Sequence, residues 1–179
     1  MNTYSVLDKH HPLANIDFRG IYLSLAHHLS LSPNNYYNVH DQPVLDCLHS
    51  TYPFFNSEVS FFSVDGSSNI TNKWPIHIDS GRRSALNIPL LNCDMQSTTY
   101  FFSEPEPFRN RIEPIHDFHI SAVHGSLNLV DQFSLIVPTV INTSIPHTVH
   151  NYGIGKRIIF SWGSMLSFSE LLYKLNVIY

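Results

Sequence analysis

Charge is scarce in this sequence. Of 179 residues only 13% are Asp, Glu, Lys or Arg, about half the usual quarter. Intrinsic disorder needs abundant charge and few apolar residues. Here 43% of the chain is hydrophobic, which excludes disorder for most of it. Basic residues number ten against fourteen acidic ones, and no Lys/Arg cluster exceeds Arg82-Arg83. Neutralising phosphates takes a basic stripe, so nucleic acid is not an expected partner. Two cysteines, Cys47 and Cys93, do not make a disulfide framework. No run of 18 apolar residues offers a membrane span. The opening, MNTYSVLDKH, has no basic-then-apolar signal pattern. The expected setting is the reducing cytoplasm, where the sequons at Asn69 and Asn142 carry little weight.

What the chain does have is aromatic and imidazole side chains: 12 Phe, 9 Tyr, 2 Trp and 12 His. A chain of this length buries roughly two-thirds of its unfolded surface and needs no metal or disulfide merely to fold. No repeat, low-complexity segment or linker divides it, so residues 1–179 read as one domain with a β core over about 58–162. Residues 1–20 read as an irregular or strand-forming arm. Residues 21–31, IYLSLAHHLSL, have helical content, stopped by Ser32-Pro33-Asn34-Asn35. Asp41 is a candidate N-cap for a short helix in which Val44, Leu45 and Leu48 share a face. From residue 58 the pattern becomes short runs rich in aromatic and β-branched residues: 58–64, 74–79, 84–91, 97–103, 115–123, 132–141, 145–151 and 156–162. Such spacing predicts a β-sandwich or barrel. Ser167 and Glu170 form a capping-box pattern that predicts a closing helix over 168–176.

The segment richest in chemistry is WPIHIDSGRR, residues 74–83. Residues two apart on a strand point the same way, so His77 and Asp79 can converge on one point. An imidazole and a carboxylate so placed are two ligands of a 2-His-1-carboxylate triad, which holds Fe(II) on one face and leaves positions open for oxygen and a co-substrate. A lone H-x-D is a weak signal, and a surface hydrogen-bonded pair is its bland reading. A third ligand is offered by SIPHTVHNYGIGKRIIFSW, residues 144–162, which reads as a hairpin turning at Gly153–Gly155. His147 lies on its first strand. His150, offset by three, faces the other way and is the weaker candidate. On the second strand Arg157, Ile159 and Ser161 share one face, and Ile158, Phe160 and Trp162 the other. An arginine on so apolar a strand needs an anionic partner, and its planar fork suits a carboxylate.

With these residues in register, WPIHIDSGRRSALNIPL and NTSIPHTVHNYGIGKRIIFSW together resemble the 2-oxoglutarate/Fe(II)-dependent oxygenases, in particular the aspartyl/asparaginyl β-hydroxylase-like group. The resemblance covers about residues 74–162. It implies a double-stranded β-helix (jelly roll), here mainly β with N-terminal helices and a short C-terminal helix. It implies His77, Asp79 and His147 as catalytic iron ligands and Arg157, ten residues after His147, as the clamp on the distal carboxylate of 2-oxoglutarate. Asn87 falls where relatives carry a polar residue near the co-substrate, and Arg83 would serve co-substrate or substrate or simply lie at the surface. The implied activity is Fe(II)-, 2-oxoglutarate- and oxygen-dependent hydroxylation of a small molecule or peptide, an amino-acid side chain being the family-based expectation. Two rival readings stand beside it: a jelly-roll binding module without turnover, and another cupin-type metalloenzyme such as a zinc isomerase. His116, His119 and His124 share no clean face and read as ordinary polar histidines, with a pocket role as the minority reading. His10-His11 and His27-His28 read as surface or helix-face residues. Trp74 and Trp162 read as core, and Cys93 as a small inert residue.

Overall fold

A computed structural model describes residues 2–29, 36–39, 41–66, 73–103, 111–115 and 120–175. Strand β1 (Tyr4–Val6) leads through a 3-10 turn (Pro12–Asn15) to α1 (Phe18–Leu29), β2 (Tyr36–Asn38) and α2 (Gln42–Thr51). Then follow β3 (Val59–Asp65), β4 (His77–Asp79), β5 (Ser84–Leu91), β6 (Ser97–Ser103), β7 (Arg111–Ile115) and β8 (Ile120–His124). The chain closes with β9 (Asn128–Ser134), β10 (Thr139–Ile141), β11 (His147–Asn151), β12 (Lys156–Ser164) and α3 (Phe168–Lys174). The expected helix ends are present as hydrogen bonds. The Asp41 carboxylate accepts from the Val44 N–H at 3.2 Å. Ser167 and Glu170 satisfy each other's backbone N–H groups at the start of α3.

The described strands form two six-stranded antiparallel sheets, ordered β1-β10-β5-β12-β3-β2 and β7-β8-β4-β11-β6-β9. From β3 to β6 successive strands alternate between the sheets. From β9 to β12 they alternate again. The first sheet is buried on both faces. Its outer residues, among them Phe61, Leu86, Ile88, Phe160 and Trp162, pack with Phe18, Leu48 and the α3 leucines in one apolar cluster. Phe55 stacks on Trp162 at 4.2 Å, and Phe18 meets Phe160 at 4.3 Å. Its inner residues face the second sheet. There Ala85 and Ile141 of the first sheet meet Phe101 of the second, and Ile145 completes this smaller core.

Three sequence expectations need correction. The 145–151 and 156–162 runs are strands but not a hairpin: β11 pairs with β4 and β6, and β12 with β3 and β5. The turn between them crosses from one sheet to the other. Asn151 holds it, donating to Val64 and Gly155 carbonyls and accepting from the Gly153 N–H. Gly155 takes a φ of +84° there, a conformation open to glycine. The 132–141 run divides into β9 and β10 in different sheets, parted before Pro138, whose missing N–H cannot serve a ladder. The 115–123 run joins the end of β7 to most of β8, which pair with each other. Residues 116–119, between them in sequence, contain no glycine and lie outside the described residues. Among the described residues no helix is long and apolar enough to cross a membrane.

Candidate metal and anion site

Sheet register brings the first two imidazoles together. His147 on β11 lies directly opposite His77 on β4, and directly opposed residues carry their side chains to the same face. Their ring centroids are 4.3 Å apart. Asp79, two residues along β4, adds its carboxylate on that face. One ligand atom from each of the three residues lies within 4.8 Å of the others, and all three side chains are buried. His77, Asp79 and His147 could therefore hold a metal ion.

Each histidine is already set for that task. His77 Nδ1 faces the Pro75 carbonyl at 2.8 Å, and His147 Nδ1 faces the Ile145 carbonyl at 2.9 Å. A carbonyl only accepts, so each Nδ1 carries the proton and each Nε2 keeps its lone pair. Burial lowers the His77 pKa to about 4, helped by His147 and opposed by Asp79. Burial lowers that of His147 as well. Both rings are thus neutral near pH 7, the form a metal needs. For Asp79, burial works against ionisation, but Arg82, His147 and His77 outweigh it and the pKa falls.

The site lies in a cavity of about 140 Å³ between the sheets. On the opposite wall β12 presents Arg157, Ile159 and Ser161, as strand alternation predicts. Arg157 is 1% exposed, and its Nε and Nη1 have no hydrogen-bond partner among the described residues. Burial pushes its pKa down, and the nearby Cys93 thiol opposes the shift. Asp79 Oδ1 is likewise buried without a hydrogen bond. Unpaired polar atoms of this kind are rare in protein interiors. Among the described residues, one belongs to a cation with no carboxylate partner and the other is an anionic oxygen without a donor. Both look into the same cavity.

Asn87 lines this cavity too, and its Oδ1 accepts a 2.7 Å hydrogen bond from Ser161 Oγ. Arg83 does not. Its side chain is exposed, near Glu170 of α3. Of the two neighbours it is Arg82 that lines the cavity, and its Nε donates to Asp79 Oδ2 at 2.6 Å. Alternation counted back from Asn87 would favour Arg83. The bend at residues 80–83 interrupts the strand, and side-chain parity is lost across it. The i,i+3 spacing from Asp79 was the available signal for Arg82. Trp74, read from the sequence as core, instead lines the cavity wall and packs against Phe62 at 4.9 Å, whereas Trp162 lies in the core as expected.

His150 faces away from the cluster. Its Nδ1 meets the Tyr152 hydroxyl at 2.9 Å, and its ring packs on Tyr100. His124 is exposed; His116 and His119 lie outside the described residues. His10 is exposed, while His11 caps the 3-10 turn and contacts the Leu175 carbonyl at 2.9 Å. His27 and His28 fall on α1, and their side chains lie outside the described residues. Cys93 Sγ reaches the Ile158 carbonyl at 3.2 Å.

Comparison with known proteins does not place the chain in a family. No family profile matches it, and no curated protein matches it. A solved structure, that of E. coli ycfD, is similar over 83% of this chain and 40% of its own length, with 12% identity and a TM-score of 0.39. The chain thus spans well under half of that protein.

Proposed function

We propose that this chain is an Fe(II)- and 2-oxoglutarate-dependent oxygenase that hydroxylates a small molecule or a peptide side chain. The observation that carries the reading is Arg157: a buried guanidinium with two unpartnered nitrogens, in the same cavity as a His/Asp/His cluster. A metal site that only hydrates or isomerises has no need of an interior cation. A co-substrate with one carboxylate to spare beyond its metal-chelating end does. The strand alternation between two antiparallel sheets supports the finer fold reading, a double-stranded β-helix.

The residues present fit both groups. Two neutral imidazoles and one carboxylate are the donor set of open-sided non-haem Fe(II) sites, and Asp79 Oδ1 is an oxygen in want of a cation. The Arg157 fork matches a carboxylate's two oxygens. Bound there, iron and 2-oxoglutarate would supply oxygen activation. The chain's own part is different. His77 and His147 stay neutral and oriented through the Pro75 and Ile145 carbonyls. Arg157 orients the co-substrate. The apolar wall of Ile141, Val149 and Ile159 limits water. Asn87 places an amide in the same cavity.

The test is anaerobic titration of Mn(II), then 2-oxoglutarate, followed by aerobic assay for succinate with Fe(II) and a panel of amino acids and peptides. Co-substrate binding that requires metal, with succinate release, is expected. Metal and 2-oxoglutarate binding without turnover on any substrate would favour the binding-module reading. Metal binding without 2-oxoglutarate binding would favour another cupin-type enzyme.

A further inference from the structure

The side chain of Arg82 holds together groups from both sheets. Its Nε donates to Asp79 Oδ2 at 2.6 Å on β4. Its Nη1 donates to Ser161 Oγ at 2.8 Å on β12. Ser161 in turn donates to Asn87 Oδ1 at 2.7 Å on β5. Donors and acceptors run in one direction along this chain, from the guanidinium both to the carboxylate and, through the hydroxyl, to the amide. The Arg82 carbonyl is also held, by Thr143 Oγ1 at 3.1 Å. The other carboxylate oxygen, Asp79 Oδ1, has no hydrogen bond and lies 3.6 Å from His77 Nε2.

We propose that Arg82 is the positioning residue of the metal site: it occupies one oxygen of Asp79 and so presents the other, as a single oxygen ligand, beside the two histidine nitrogens. This rests on the reading of His77, Asp79 and His147 as metal ligands. A carboxylate pinned through one oxygen cannot swing to offer both, and the coordination position this spares remains open. Outer partners of metal ligands typically contribute ten- to a hundredfold in metal affinity. The backbone has made room for the device. A Cβ built at Gly163 on β12 would stand 2.5 Å from Arg82 Cδ and 3.1 Å from its Cβ. Glycine at 163 is what lets the arginine lie along the sheet.

Coulomb repulsion between a guanidinium and a divalent ion acts the other way, so the sign of the effect is a real test. Mn(II) binding would be followed by EPR on the intact chain without co-substrate, with folding of each variant checked by circular dichroism. Arg82→Met should weaken Mn(II) by about ten- to a hundredfold. Arg82→Lys should recover part of this, since one ammonium can reach Asp79 but lacks the fork that also holds Ser161. Ser161→Ala should weaken binding less and add nothing to Arg82→Met, because it acts through the arginine. Gly163→Ala should mimic Arg82→Met without altering a polar group. If it does not fold, the Arg82 and Ser161 variants still decide. A folded Arg82→Met with unchanged or tighter Mn(II), while Asp79→Ala binds weakly, overturns the proposal and leaves the metal site standing. The same holds if Arg82→Met alters only 2-oxoglutarate binding. Unchanged Mn(II) affinity in Asp79→Ala overturns the metal site itself.

Discussion

Arg157 is the residue on which the proposed function and stability pull apart. A buried cation with unpartnered nitrogens is a cost that the folded protein carries. Replacing it by an apolar side chain of similar length is expected to stabilise the ligand-free protein, by about 1–4 kcal/mol on the precedent of other buried charges. Arg157→Met should therefore resist urea better than wild type and fail to bind 2-oxoglutarate; a less stable variant would mean that the guanidinium has a native partner. Arg157→Ala should raise the apparent 2-oxoglutarate constant. A charge-assisted hydrogen bond contributes roughly 1.5–3 kcal/mol, and about 1.4 kcal/mol is tenfold. The expected loss is then about tenfold to a few hundredfold, with partial rescue by lysine. Asp79→Ala removes the cluster's only carboxylate. Its Mn(II) affinity under argon should fall, and equal affinities would remove Asp79 from the ligand set.

At the scale of elements, β12 shows how one strand serves two purposes. Phe160 on its outer face is fully buried against Phe18 and Phe61. Phe160→Ala should cost about 3–5 kcal/mol in denaturant. The inner face, formed by the alternate residues, carries Arg157 and Ser161 into the cavity. Helix α3 offers a pH test. The Ser167 hydroxyl and backbone N–H hold the Glu170 pKa below its ordinary 4.5. A carboxylate with a lowered folded pKa stabilises the fold above its unfolded pKa, and that contribution is lost as pH falls through the folded value. Melting temperatures between about pH 3 and pH 6 should thus fall less steeply on acidification in Glu170→Gln than in wild type. Parallel curves would show that the capping carboxylate does not matter in solution.

The whole molecule is expected to fold without an ion at the His77, Asp79 and His147 cluster. Its main cluster lies on the far side of the first sheet from the cavity, with Phe18, Leu48, Leu171 and Leu172 in it. A chelator should leave the far-ultraviolet circular dichroism unchanged, in contrast to small metal-stapled domains. Ligand binding should still register globally. At 100 times its dissociation constant a ligand adds about 2.7 kcal/mol. At roughly 2–4 °C per kcal/mol for a domain of this size, 2-oxoglutarate with Mn(II) should raise the melting temperature by about 5–10 °C. The shift should need the metal and should shrink in Arg157→Ala. An unmoved wild-type melting point at high excess would count against the oxygenase reading.

Local chemistry was legible from the sequence alone. Alternation along one strand placed Arg157 and Ser161 on one face and Phe160 and Trp162 on the other, because a strand's period of two is a property of its own backbone. Asp41 and Ser167 marked helix starts because a cap bonds only three residues ahead. The His77–Asp79 spacing needed nothing beyond the same period. What joins distant segments was decided by the tertiary structure. The pairing of β11 with β4, which sets His147 opposite His77, spans seventy residues and leaves no local mark. The missed hairpin failed for the same reason: a Gly-rich turn looks alike whether its strands pair with each other or part into two sheets. Alternation counted back from Asn87 points to Arg83 rather than Arg82, but the bend at residues 80–83 breaks that parity, and only the packing of β12 against the bend, with Gly163 leaving space for one arginine, made the choice.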